Sequence, residues 1–282
     1  MLDMRYHVIS LVAVFFALGI GILLGTTIVE RGLIAEQKAQ IKSLRKTFEE
    51  IKTKNAELNQ ELDAYKKYAS ESRSYMITGR LAGRSIAVLT GKDPDDKGLS
   101  SIHDGVAAAG GAIPVTISIS GSKVYEDQAV IANLNTLFGA QADEQALRER
   151  VFAEVVNQLK TASNVGILAT FQQLGVLQLE GALQGPVSQA MLLGGIEEKA
   201  LDRMDVPLIK AFTSAGFPLM GVGSGRTPDS VLVTYGKNGI STVDHVETTP
   251  GQVAMVMVLQ GASGNYGSGK SAGRMIPEPT TP

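Results

Sequence analysis

Three stretches of this chain hold residues whose types and spacing could do chemistry. Gly264 to Ser271 reads GNYGSGKS and fits G-x-x-x-x-G-K-[ST], the pattern of a loop whose backbone N–H groups cradle nucleotide phosphates. Such a loop needs a strand before it and a helix after it, because the helix N-terminus supplies donors and a positive dipole end. Here the preceding residues read as a helix ending near Gln260, and the following SAGRMIPEPTTP cannot form a supporting helix. The match therefore reads as a coincidence of a Gly/Ser-rich tail. The second stretch, GVGSGR from Gly221 to Arg226, follows an apolar strand and precedes a helix start at Thr227-Pro228-Asp229. That context suits an anion site with Gly221, Gly223, Gly225 and Arg226 as candidate ligand contacts. Asp244 is a candidate partner for a ribose on spacing alone. The plainer reading is a tight strand-to-helix turn. The third stretch is Asp244-His245 at a strand's end, where open α/β sheets place their sites; here the plainer reading is a turn that caps the next segment.

Hydrolytic catalysis needs a nucleophile beside a base. The chain has three histidines, His7, His103 and His245, no cysteine and no H-E-x-x-H. The expectation is a protein that is not an enzyme and carries no cofactor. Copper(I) favours thioether and imidazole ligands. Met4 and His7, three residues apart at the mouth of the apolar span, are a solitary candidate pair of metal ligands. The other methionines sit in apolar runs, where core packing explains them.

These residues must be positioned by elements legible in the pattern. A net charge of −2, no tryptophan and 5% aromatic residues exclude general attraction to nucleic acid and stacking platforms for it. After a short N-terminal tail, 1–7, Val8 to Val29 holds 22 residues without a charge. As a helix they span about 33 Å, enough for the hydrocarbon core, and longer than a signal-peptide apolar region. We read a transmembrane anchor over 8–29. Gly21 and Gly25 form a small-xxx-small step of the kind that lets membrane helices approach. Arg31, Lys38, Lys42, Arg45 and Lys46 follow the span against Arg5 before it; read naively, that places the bulk in the cytoplasm, but acids are interleaved among them.

Residues 30–78 read as a coiled coil. No Gly or Pro occurs from Ile34 to Met76, and apolar residues recur in steps of four and three. Ile34, Ile41, Phe48 and Leu62 fall at a, and Leu44, Ile51, Leu58 and Tyr65 at d. Asn55 is a polar a position, which fixes register and favours two parallel strands. The expectation is a parallel homodimer with these residues as its seam; the alternative is one helix folded back on the next domain.

Residues 80–262 read as a small Rossmann-like α/β domain with a mostly parallel sheet. Ser85 to Thr90, Ile113 to Ile119, Val165 to Thr170, Phe217 to Val222 and Ile240 to Val243 read as strands. Ser100 to Ala109, Asp143 to Lys160, Asp205 to Ala215 and Thr249 to Gln260 read as helices, and Ser230 to Tyr235 is ambiguous. Residues 263–282 read as a disordered tail.

The assembled pattern resembles the MctB-type copper transport proteins of the bacterial envelope. One part of the likeness is MRYHVISLVAVFFALGIGILLGTTI near the N-terminus. The other is STVDHVETTPGQVAMVMVLQGASGNYG, Ser241 to Gly267, with its Val-Asp, Gly251 and closing Gly-x-Tyr-Gly. The resemblance implies copper binding, transport and homeostasis, for which Met4, His7 and His245 are the residues to nominate as metal ligands. It also implies relatives that act in cell separation with a membrane protein bearing a thiamin-pyrophosphokinase-like domain, with the bulk of the chain outside the cytoplasmic membrane. On the residues alone, the favoured function is a membrane-anchored dimeric scaffold whose coil or head docks a partner.

Overall fold

The computed structural model describes residues 4–139 and 141–278; residues 26–35 and 198 are described by backbone alone. The chain divides into two compact units, 1–67 and 68–282. The first unit is helical: helix α1 runs Met4–Ile77, and its share up to residue 67 makes up the described part of the unit. Within it, Met4–Gly25 is long and apolar enough to cross a membrane. Beyond that span Ile41, Leu44, Phe48, Ile51, Leu58, Leu62 and Tyr65 form one apolar stripe, each between 48% and 69% exposed. The Ile34 side chain lies outside the described residues. Exposed ion pairs Lys46–Glu50 and Lys54–Glu57 run along the same helix.

The second unit is built on a seven-stranded sheet of order β3-β2-β1-β4-β5-β6-β7. Its strands are β1 (Ile86–Thr90), β2 (Val115–Ile119), β3 (Leu177–Gly181), β4 (Gln189–Leu193), β5 (Leu219–Val222), β6 (Ser241–Val243) and β7 (Asn265–Tyr266). Every pairing is parallel except β2 with β3. The interior strand β1 is buried throughout, and its side chains alternate between two cores. Ile86 and Val88 join Ile102 and Val106 of helix α2 (Asp96–Ala108) and Val253 to Val256 of α8 (Thr249–Leu259). Ala87 and Leu89 join the other core. There they meet Phe152 of α4 (Glu144–Thr161), Phe171 of α5 (Gly166–Gln173), Phe212 of α6 (Asp205–Ser214) and Tyr235 of α7 (Asp229–Lys237). A sheet buried on both faces explains why its strands read as short continuous apolar runs.

The α/β class and mostly parallel sheet agree with the sequence reading, and three local expectations are corrected. Val165 to Thr170, read as a strand, lies largely in α5. A short apolar run has no periodicity to separate helix from strand, and here Ile167, Leu168 and Phe171 face the core at helical spacing. Helix α2 starts earlier than Ser100, capped by Asp95, whose carboxylate accepts from Gly98 N–H at 3.1 Å. Residues 263–278, read as a disordered tail, are held down: β7 pairs with β6, and Ile276 packs on the α2/α8 core. The ambiguous segment around Ser230 to Tyr235 is helical, as part of α7.

Glycine at 251 is a packing requirement. A Cβ there would lie 2.2 Å from the His245 carbonyl oxygen, which is backbone and cannot swing aside. Gly251→Ala should lower stability by about 1–3 kcal/mol. Gly166→Ala, where the added carbon meets only an ordinary contact at 3.5 Å, should leave stability unchanged or slightly raised. Thermal unfolding of the full chain in detergent checks both.

Candidate functional site

Strand order reverses at β1, whose neighbours β2 and β4 are reached by connections in opposite directions. In open α/β sheets a crevice opens at that point, outside the carboxyl ends of the strands. Here a cleft of about 220 Å³ lies between the loop after β1 (Gly91, Asp93, Pro94, Asp95), the loop after β4 (Gly194, Gly195) and the loop after β5 (Arg226, Thr227, Pro228). Gly91 is pressed against the second loop: a Cβ would sit 2.6 Å from the Ile196 carbonyl oxygen. That second loop is braced from below. Ile196 N–H donates to Asp205 Oδ1 at 3.0 Å, and the Tyr235 hydroxyl lies against both Asp205 Oδ1 and the Gly194 carbonyl.

The glycine loop GVGSGR sits beside this cleft, yet its own donors are engaged. Ser224 N–H donates to Thr227 Oγ1, Arg226 N–H to Ser224 Oγ, and Gly225 N–H to the Glu247 carboxylate at 3.0 Å. Each glycine has a packing cause. A Cβ at Gly221 would meet the Tyr235 ring at 2.4 Å, one at Gly223 the Leu232 side chain at 2.8 Å, and one at Gly225 the Glu247 carboxylate at 2.9 Å. Arg226 extends into solvent, with its side chain 84% exposed and 3.5 Å from Asp95 Oδ1.

Asp244 follows β6 and is 3% exposed. Its two oxygens accept from Ser268 N–H and Gly269 N–H, each at 2.7 Å. Those donors belong to the GNYGSGKS stretch, which begins around β7 and after it wraps the carboxylate. Only glycine fits around it: a Cβ at Gly267 would meet Asp244 Oδ1 at 1.7 Å, and one at Gly269 would meet Oδ2 at 2.4 Å. The loop thus holds an anion in the manner of a phosphate loop, but the anion is the chain's own side chain. His245 adopts a positive φ of 46° and turns the backbone into α8, where Thr248 caps the helix. Its Nδ1 is 3.3 Å from Asp244 Oδ1 without hydrogen-bond alignment.

The candidate residues therefore separate. Asp244 and His245 adjoin the tail loop, and Glu247 ties their turn to Gly225. Met4 and His7 are exposed on α1 in the other unit. Met191, Met204, Met220 and Met255 are core residues. Among the described residues no three His, Asp or Glu side chains are grouped to hold a metal ion. Sequence reasoning missed the carboxylate–loop clasp and the Asp205–Tyr235 brace. The glycine density of GNYGSGKS and the two acids in VDHVE were the available signals for the clasp. Nothing local marked the brace, whose partners are 30 residues apart.

Burial pushes the Asp205 carboxyl up to about 6, against hydrogen bonds from Tyr235 and from backbone N–H groups that lower it. Burial likewise raises Tyr235. Glu197 is held low by the bond it accepts from Ser122 N–H.

The family model described as "Copper transport outer membrane protein, MctB" matches residues 1–277. A protein of Mycobacterium tuberculosis (strain ATCC 25618 / H37Rv) named "Copper transporter MctB" is 23% identical over 307 residues, covering 96% of this chain and 98% of its own. Its namesake in Mycobacterium leprae (strain TN) is 24% identical over 311 residues, with the same coverage.

Two predictions follow from this geometry. Asp244→Asn removes the charge and turns an amide toward one of the two donors, so amide exchange at Ser268 and Gly269 should accelerate while β1 and β4 stay protected. Hydrogen exchange with mass spectrometry reads this. For Asp205, the raised value means that the folded chain keeps a proton between about pH 4 and 6 that the unfolded chain releases. Stability from this group is present below about pH 4 and is lost as pH rises through about 6. Asp205→Asn should flatten that segment, by about 2–3 kcal/mol, and be at least as stable as the original at pH 7.5.

Proposed function

Since the chain belongs to the MctB copper transport outer membrane protein family, we propose that it is a non-catalytic, membrane-anchored envelope protein whose paired coil and Rossmann-like head dock a partner. The observation that carries this reading is the self-filling of the sheet's carboxyl edge. Asp244 and Glu247 accept from backbone N–H groups of the loops, and Asp95 from Gly98 N–H in the first turn of α2, donors that an anionic cofactor would otherwise use. Thr227, the hydroxyl of the cleft wall, is likewise engaged by Ser224 N–H. One membrane-spanning helix at the N-terminus supports single-pass anchoring. The bulk of the chain is taken to lie outside the cytoplasmic membrane. Strands of five residues or fewer are shorter than the 9–11 residues needed to cross a bilayer, so the head's sheet serves as a soluble core.

The exposed seam of α1 supports a homodimer, because an apolar stripe of that length is not left to water. At 3.6 residues per turn Gly21 and Gly25 lie about 150° around the helix from Ile41 and Leu44. The seam and the glycine step therefore do not share a face, and the seam carries the pairing. The partner is a membrane protein bearing a thiamin-pyrophosphokinase-like domain.

The second reading is copper handling, in which copper is cargo. It is favoured by Met4 and His7, which sit three apart and exposed on one face of α1. His245, half-exposed, is the remaining soft ligand candidate.

Two measurements separate the readings. Captured full chain should recover the thiamin-pyrophosphokinase-like membrane protein in stoichiometric amount, and recovery of none would sink the docking reading. Copper(I) competition against a chelator of known affinity should show no tighter binding. Stoichiometric binding lost in His245→Ala would establish the copper reading in its place.

A further inference from the structure

Resting on the reading of α1 as a pairing helix, we infer that its occupant is a second copy of this chain lying parallel and in register, an orientation imposed by charge. With Ile41 at a, the e positions that flank one side of the seam are Lys38, Arg45, Lys52 and Lys66, interrupted by Asn59. The g positions on the other flank are mixed: Thr47 is uncharged, Lys54 is cationic and in a parallel in-register pair faces Asn59, and Glu61 is acidic. In a parallel in-register pair, each e residue meets the g residue of the preceding heptad on the other copy. Lys66 then meets Glu61, Lys52 meets Thr47, and no like charges are opposed along the seam. In an antiparallel pair, e meets e. The cationic row of one copy then lies against the cationic row of the other, with Arg45 near Lys66. Like charges so placed repel and discriminate between the two orientations.

The acids of the same helix do not cancel this row from within. Among the described residues, Glu50 pairs with Lys46 on the outer surface and Glu57 with Lys54 on the opposite flank, neither lysine being in the row, and within the row Lys66 pairs with Asp63 at 3.9 Å. Asn55 adds an independent constraint. It is exposed and sits at an a position between Ile51 and Leu58. In a parallel in-register pair it meets its own copy and both amides are satisfied. In an antiparallel pair a faces d, so Asn55 would meet an apolar residue with its amide unpaired. Parallel pairing also brings both membrane spans to one end, as one membrane requires.

The chain has no cysteine, so a single introduced thiol reports on one position. Leu44→Cys and Leu58→Cys, each in the full chain in native membranes, place a d residue within disulfide reach of its own copy when the pair is parallel and in register. On mild oxidation each variant alone should run at twice the chain's mass without reductant and as one chain with it. A differently tagged mixture of Phe48→Cys with Tyr65→Cys, an a and a d position that face each other only in an antiparallel pair, should give no cross-linked mixed species. Cross-linking in that mixture without cross-linking of Leu44→Cys alone overturns the orientation and leaves the pairing reading standing. A dimeric mass with neither single variant cross-linked also overturns the orientation. A monomeric mass for the unmodified chain overturns both.

Discussion

A carboxylate held at 3% exposure has to be met by donors, and Asp244 is met by two backbone N–H groups of the loop after β7. Much of the head's carboxyl edge is arranged around that bond. It draws Gly267 and Gly269 against the end of β6, adds β7 to the sheet and brings Ile276 to the core. From the adjoining turn, Glu247 reaches back to Gly225 and ties the loop after β5 to the loop after β6. Donors that in a nucleotide-binding sheet would wait for phosphate are engaged before any ligand arrives. The edge is closed by the protein's own acids, which makes it a stable face and a poor active site.

The first unit presents the complementary situation. The head satisfies its apolar and polar groups internally, whereas α1 leaves two apolar surfaces in the open, one suited to lipid and one to a helix. A 74-residue helix with few internal tertiary contacts cannot be stabilised by propensity alone. Its first span is long and apolar enough to cross a membrane, as fits a family described as a copper transport outer membrane protein.

The class and sheet were legible because buried parallel strands and amphipathic helices leave strong patterns. SIAVLT and the 3.6-residue period through Leu147, Val151, Val155 and Leu159 needed no tertiary information. VGILAT misled because six apolar residues have no period to read. β4, QAMLL, went unread because Gln189 opens it and its flanks carry no strand signal; its burial between β1 and β5 decides its state. The site was half legible. The phosphate-loop pattern in GNYGSGKS has no helix after it among the described residues, yet the loop holds a carboxylate, and only the fold brings Asp244 to it. The glycines of GVGSGR were visible, but the Tyr235, Leu232 and Glu247 side chains that require them lie farther along the chain.

The central claim is that the head's anion-holding loops are filled by its own carboxylates. Thermal unfolding of the full chain with millimolar pyrophosphate, ATP or NAD tests it most directly, since a ligand that binds the folded state alone must raise the melting temperature. The account predicts no shift with any of the three. A saturable rise with one of them would show that the carboxyl edge accepts an anionic ligand, and would contradict it.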